Sequence, residues 1–310
     1  MTNHSSEATP RNKKLIDKAT AIKNDLIVGV VSPTTKESLE AVILSTQKKL
    51  ITPILFGLRK QITHVAKEAG LDISSYECVD AEDPVAAAKL AIQFAKQGKV
   101  NSLMKGDIHT EEIMREVIAR ESGLRTNRRV SHCLLMDVPS YPKQMIFSDV
   151  AINIAPDISM KKDIVQNAIN FMHALGVSKP NVALLAAVET VSENIQATLD
   201  AAVLCKMAER GQITGGVLDG PISIDLAISK EAMKIKRFQP VLPGLPDIFI
   251  SPDLNSGNIA VKILDYLAGG QSAGIVVGAK VPIILMRRSS PAIEHLLSCA
   301  LAKIYCDYHS

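Results

Sequence analysis

The strongest constraint on this chain is a recurring order: a short apolar run, a turn of small polar residues, then a segment with helical periodicity. Residues 247–267 (DIFISPDLNSGNIAVKILDYL) are its clearest instance. Residues 248–250 read as a strand and Ser251-Pro252 ends it. Asn255-Ser256-Gly257-Asn258 forms a small-residue turn, and Ile259, Ile263, Leu264 and Leu267 recur at helical spacing, so a helix with that face buried is expected. A helix that begins where a strand ends points unpaired backbone N–H groups at whatever lies above the strand, and anions settle there readily. An ordinary N-cap by Asn255 or Ser256 is the plainer alternative.

The same order recurs along the chain. Residues 1–24 are polar and basic and are expected to be a loose or surface-lying extension. Residues 26–31 (LIVGVV) read as a strand covered on both faces. Thr34-x-x-Glu37 has the pattern of a capping box, opening a helix with Leu39, Val42, Ile43 and Leu50 on one side. Further strands are expected over 51–56, 74–79 and 102–104, and helices over 61–69 and 84–97. Thr110 is expected to cap a helix carrying Glu111 and Glu112 in its first turn, where acids suit the helix dipole. A basic loop at 123–129 (GLRTNRR) interrupts the alternation. Strands at 130–136 and 144–147, around a turn with Pro139 and Pro142, then suggest passage between domains. Beyond them come a helix at 161–175, a strand at 181–186, a long helix at 192–211, a compact Asp219-Gly220-Pro221 turn and a helix at 225–234. Strands at 274–277 and 282–285 and a helix at 291–305 close the chain. Such alternation predicts an α/β fold with a mainly parallel sheet and ligands at the carboxyl ends of its strands.

Composition narrows the function classes. With 310 residues and 47% hydrophobic content the chain can bury a full core, by size in about two domains. A net charge of +3 offers no basic stripe for nucleic acid, and the absence of Trp weakens base stacking. The five cysteines (78, 133, 205, 299, 306) are scattered and odd in number, which suits a reducing compartment better than a disulfide framework or a zinc site. The seven histidines show no metal-ligand spacing. No apolar run reaches the length of a membrane span and no signal-peptide core is present, so a soluble cytoplasmic protein is expected.

Three strand ends carry turns suited to anions: Lys105-Gly106-Asp107 with Thr110, the 255–258 turn, and Arg287-Arg288-Ser289-Ser290. Arginine grips phosphate bidentately and keeps its charge, although paired arginines at a strand end can also simply face solvent. A Walker loop, a dinucleotide-binding glycine motif and a Gly-x-Ser-x-Gly elbow are all absent, so an anion site built from helix ends, Lys and Arg is what remains.

Lys105-Gly106, Val130-Ser131-His132, Asn153-Ile154-Ala155-Pro156, Asp219-Gly220-Pro221, the 251–258 block SPDLNSGN and the 278–283 block GAKVPI stand in the order found in phosphate acetyl/butyryltransferases. The chain resembles that family from about residue 26 to its end. SHCLLMDVPSY and DGPISIDLAISKEA are most similar to the butyryl-type and hydratase-associated members. The resemblance implies a two-domain α/β fold of the isocitrate/isopropylmalate dehydrogenase type, with the active site in the interdomain cleft. Residues 25–137 plus 281–310 would form the first domain and residues 138–280 an inserted second one. It implies a homodimer, no metal and no permanently bound cofactor, with CoA and phosphate as substrates of a reversible acyl transfer.

Residue by residue, the resemblance implies that Arg288 holds the phosphate. Asn255, Ser256, Gly257 and Asn258 would donate to the same anion, with Lys105, Gly106 and Ser131 on further matching motifs. Arg129 would meet the phosphates of CoA. Glu294 aligns with a carboxylate proposed to take the proton of the CoA thiol, its plainer reading being a solvated acid in the first turn of the last helix. The chain departs from the family where Arg287 replaces the usual hydroxyl before the arginine. Ser289 could substitute for that hydroxyl; otherwise a weakly active or non-catalytic protein that binds CoA or acyl phosphate is the alternative. A decarboxylating dehydrogenase of related fold would need an aspartate metal cluster and a nicotinamide site that the sequence lacks.

Overall fold

Helix and strand alternate through the computed structural model, which describes residues 7–285 and 291–310. Its elements begin with α1 (Pro10–Ala21), β1 (Ile27–Val31), α2 (Lys36–Gln47), β2 (Thr52–Gly57), α3 (Arg59–Glu68), β3 (Glu77–Asp80), α4 (Pro84–Lys96), β4 (Ser102–Lys105) and α5 (Thr110–Ile118). There follow β5 (Ser131–Asp137), β6 (Met145–Ser148), α6 (Ile158–Leu175), β7 (Asn181–Leu185), α7 (Gln196–Glu209), β8 (Val217–Ile222), α8 (Ile224–Ile228), α9 (Lys230–Ile235), β9 (Ile248–Ile250) and α10 (Leu254–Tyr266). The last elements are β10 (Gln271–Val277), β11 (Ile283–Leu285) and α11 (Ala292–Tyr308). The chain divides into two compact units, Arg129–Ser272 and residues 7–128 with 273–310.

In the unit of residues 7–128 and 273–310 the strand order is β3-β2-β1-β4-β11-β10. Every neighbouring pair is parallel except β10 with β11. The apolar run of β1 is buried, as strands covered on both faces require. Gly29 lets α4 come close: a Cβ there would stand 3.3 Å from both Leu103 and Phe56 and 3.5 Å from Ala91. The alanines 87, 88, 91 and 95 form the buried face of α4. Parallel register sets Lys105, at the end of β4, beside Val31 of β1 and Leu285 of β11.

In the unit Arg129–Ser272 the order is β5-β6-β9-β7-β8, antiparallel only between β5 and β6. Phe147 and Phe249 stack at 5.0 Å within an apolar cluster that also holds Met136, Tyr141, Leu226 and Val261 of α10.

Several local expectations are corrected. Residues 10–21, expected as loose or surface-lying, form α1, capped by Thr9 and burying Leu15 and Ala19. Thr35 with Ser38, not Thr34 with Glu37, makes the capping box of α2. α5 starts after His109, whose backbone N–H donates to the Glu112 carboxylate, so Thr110 is not its cap. Asp219-Gly220-Pro221 lies inside β8 and not in a turn. β8 is the last strand of its sheet, where a proline without an N–H can be accommodated. The helix expected at 225–234 is broken at Ser229, which caps α9.

The largest correction concerns α10. Of the row expected to be buried, Ile259, Ile263 and Leu267 are 58%, 50% and 80% exposed, while Leu264 is half-buried against the apolar cluster. The face turned inward carries Gly257, Val261 and Asp265. Glycine admits the closest backbone approach, so the row beginning at Gly257 turns inward, while Ile259, Ile263 and Leu267 turn out.

Asp253, not Asn255 or Ser256, caps α10, its carboxylate accepting from Ser256 N. Asp253→Ala is expected to cost about 1 kcal/mol of stability, read as a lower urea midpoint at unchanged slope.

Candidate active site

In the unit Arg129–Ser272 the site residues are organised around the carboxyl end of β9. The chain leaves β9 at Ser251, turns, and enters α10. Asn255, Ser256, Gly257 and Asn258 therefore occupy the first turn and a half of a helix, not a turn ahead of it. Most orphan donors of that helix start already have protein acceptors. Leu254 N donates to Ile154 O, Ser256 N to the Asp253 carboxylate and Gly257 N to Asp253 O. The Ser256 hydroxyl donates to Asp253 O and the Asn258 side-chain amide to Val150 O. Asn255 is left: it is exposed, and its backbone N–H and side chain have no partner among the described residues. The positive end of α10 is thus presented to solvent chiefly through one residue.

The support for this turn is a pair that the sequence reading assigned no role, Asp149 and Asn153. The Asp149 carboxylate is buried and accepts from the backbone N–H groups of Ala151, Ile152 and Asn153 and from the Asn153 amide at 2.5 Å. Asn153 also donates to Val130 O, which ties the loop to the start of β5. The carbonyl of Asp149 in turn presses on α10, since a Cβ at Gly257 would come within 2.8 Å of it and within 2.6 Å of the Ser251 hydroxyl. Ser131, the first residue of β5, is buried and accepts from the Asn167 amide of α6. The same amide donates to Arg129 O, and Arg129 N donates to the Asp163 carboxylate. Arg129 has its backbone held and is itself exposed. The structure therefore links Ser131 and Arg129 to the α10 turn through Asn153 and Asp149. The Asp-x-x-x-Asn spacing was the available signal, but a buried asparagine that bridges two segments has no pattern of its own.

The other unit holds Lys105, Gly106 and Glu294. Gly106 N donates to Val31 O and Asp107 N to Ser32 O, so the 105–107 turn is stitched to the end of β1. Only glycine fits this position, because a Cβ would lie 2.5 Å from Val31 O and 2.6 Å from Ser32 O. Lys105 is buried and donates to Gly106 O. Glu294 is buried in the first turn of α11, not a solvated acid. Arg288 and Ser289, with Arg287, lie outside the described residues.

Burial, the leading cause in every case, raises all five cysteine thiols. It pushes Cys133, Cys205, Cys299 and Cys306 up to about 12 and Cys78 upward. None is poised as a thiolate near neutral pH. Among the described residues no group of three His, Cys, Asp or Glu could hold a metal ion, and no helix is long and apolar enough to cross a membrane.

Residues 81–302 match the family model described as Phosphate acetyl/butaryl transferase. A phosphate acetyltransferase of Rhizobium meliloti is 46% identical over 276 residues, 89% of this chain and 87% of that protein. A phosphate butyryltransferase of Clostridium acetobutylicum is 35% identical over 266 residues, covering 86% of this chain and 88% of that one. Among solved structures, a branched-chain phosphotransacylase from Enterococcus faecalis V583 superposes with a TM-score of 0.79 at 27% identity, covering 91% of this chain and 99% of that one.

The hydrogen-bond pattern separates two asparagines of one motif. Asn255→Ala is expected to raise the KM for phosphate roughly tenfold, the worth of a hydrogen bond to a charged group, with unchanged thermal stability. Asn258→Ala is expected to lower Tm instead, because it leaves Val150 O without its donor; calorimetry with phosphate titrations reads both.

Proposed function

The chain belongs to the phosphate acetyl/butaryl transferase family, and on that premise we propose that it transfers a short acyl group reversibly between CoA and inorganic phosphate. The observation that carries the reading is the start of α10, where Asn255 remains open while most of the helix-start donors around it have protein acceptors. Phosphate would be drawn there by the helix dipole and by Arg288 as a fixed countercharge. Lys105, buried at the end of β4, would supply a second cation for the anion.

In the direction of acyl phosphate, a phosphate oxygen attacks the thioester carbonyl carbon and the C–S bond breaks. The CoA sulfur leaves with the electron pair and takes up a proton. In reverse, Glu294 would accept the thiol proton as sulfur attacks the acyl phosphate. Its burial supports this role, because a carboxylate shielded from water is a better-placed base. Ser289 would supply the hydroxyl that Arg287 displaces, Ser131 and Gly106 would line the phosphate region, and Arg129 would meet the phosphates of CoA. The raised thiols favour direct transfer in a ternary complex over an acyl-cysteine intermediate.

Finer points belong to the same proposal. The fold would be of the isocitrate/isopropylmalate dehydrogenase type, with residues 25–137 plus 281–310 as one domain and 138–280 as the other. The assembly would be a homodimer, for which the outward row of Ile259, Ile263, Tyr266 and Leu267 on α10 supplies an apolar face. Five free thiols support a reducing, cytoplasmic compartment.

Free thiol released from acetyl-, propionyl- and butyryl-CoA is expected to depend on phosphate; tight CoA binding with no release would favour the non-catalytic alternative. Arg288→Ala is expected to cost far more activity than Glu294→Ala, at least a hundredfold against about tenfold. Small and equal losses would move the site elsewhere. Iodoacetamide at neutral pH is expected to leave turnover unchanged, because thiolate grows only as pH climbs toward 12. Inactivation that acyl-CoA prevents would instead indicate a cysteine intermediate.

A further inference from the structure

A small cavity lies at the carboxyl ends of β7 and β9 in the unit Arg129–Ser272. Its walls include Leu184 of β7, Ile250 and Ser251 at the end of β9, Lys161 in the first turn of α6, and Asp200 and Leu204 of α7. The space open to the centre of a water is about 10 Å³, which is room for one water and nothing larger.

The polar groups of this wall have bonding capacity left over. Lys161 donates to one Asp200 oxygen at 2.5 Å and Gln196 donates to the other at 2.8 Å, with Lys161 and Asp200 both buried. Among the described residues the ammonium has that one acceptor, so two of its three N–H donors remain. Ser251 is 4% exposed, and its hydroxyl has no partner among the described residues. Buried polar atoms of this kind are paired in folded proteins, through ordered water where no protein group reaches them. The Lys161–Asp200 pair is neutral as a whole, so a water suits the space better than an ion does.

Ser251 also belongs to the floor under α10. A Cβ on Gly257 would stand 2.6 Å from the Ser251 hydroxyl and 2.9 Å from its Cβ, so this side chain limits how deeply the first turn of α10 can seat. Asn255, the open donor, lies in that same turn. We propose that one ordered water bridges the Lys161 ammonium to the Ser251 hydroxyl, and that Lys161 thereby acts as a positioning residue for the anion-facing turn. The water accepts from Lys161 and donates to Ser251 Oγ, and the Asp200 and Gln196 side chains keep the ammonium aimed. The positioning role rests on the acyl-transfer reading above, whereas the water does not.

A crystal structure of the wild-type protein, at a resolution that shows single waters, is expected to place one water about 2.7–3.2 Å from both Lys161 Nζ and Ser251 Oγ. No water there, or a direct contact between Lys161 and Ser251, overturns the proposal. Ser251→Ala keeps the Cβ beneath Gly257 and removes only the bond to the water. Calorimetry is expected to show its Kd for inorganic phosphate raised about three- to tenfold, the fold-change that one hydrogen bond is worth. Lys161→Met combined with Asp200→Leu removes both charges together, so neither is stranded, and is expected to weaken phosphate to the same degree. Adding Ser251→Ala to that pair is expected to cost nothing further, because both changes remove one bridge. Additive losses, or a Kd within about twofold of wild type for Ser251→Ala, overturn the positioning role. Leu204→Ala, which disturbs the same cavity without removing a polar atom, is expected to lower Tm and leave the Kd unchanged; an equal loss of affinity overturns the positioning role too. Should the charge-removing variant fail to fold, Ser251→Ala against Leu204→Ala decides. Wild-type protein that binds no phosphate and releases no thiol in response to it overturns the acyl-transfer reading and the positioning role with it, while the water stands or falls by its density.

Discussion

The buried Asp149 carboxylate is the contact on which the candidate site most depends. It gathers three backbone N–H groups and one side-chain amide, and through Asn153 it joins the loop after β6 to the start of β5. Charge-assisted bonds of this kind are the stronger members of their class, and a carboxylate with several donors can remain buried without a cation. With Asp149 held by these bonds, its carbonyl and the Ser251 side chain form a floor for α10, and that floor is why residue 257 must lack a side chain.

Gly106 repeats the logic in the other unit. There the obstructing atoms are the carbonyl oxygens of Val31 and Ser32, and the consequence is that Lys105 is carried to the strand end on a turn with almost no freedom. Both glycines act through closeness of approach. In each case rigid backbone sits beneath a residue that can offer positive charge or a donor, the arrangement that electrostatic preorganisation requires.

The buried Lys161–Asp200 pair adds a different constraint. Removing one partner of such a pair strands the other, which commonly costs about 3–5 kcal/mol, so the polar wall of the α6–α7 cavity is held as firmly as its leucines.

Much of this was legible in the chain itself. Continuous apolar runs such as 26–31 and short gaps between elements dictated the alternation, since only a strand covered on both faces tolerates such a run. The 251–258 block and Lys105-Gly106 marked the turns, because close approach needs glycine wherever it occurs. Local pattern failed where partners come from afar. Periodicity places Ile259, Ile263 and Leu267 on one face of α10 but cannot say which face meets the sheet, and a contact with Asp149, more than a hundred residues earlier, settled that. Likewise, no spacing in the sequence reveals that Asn258 is occupied while Asn255 is open, or that Ser251 borders a cavity. Those facts depend on which backbone carbonyl happens to lie within 3 Å, and only the folded chain brings the carbonyl there.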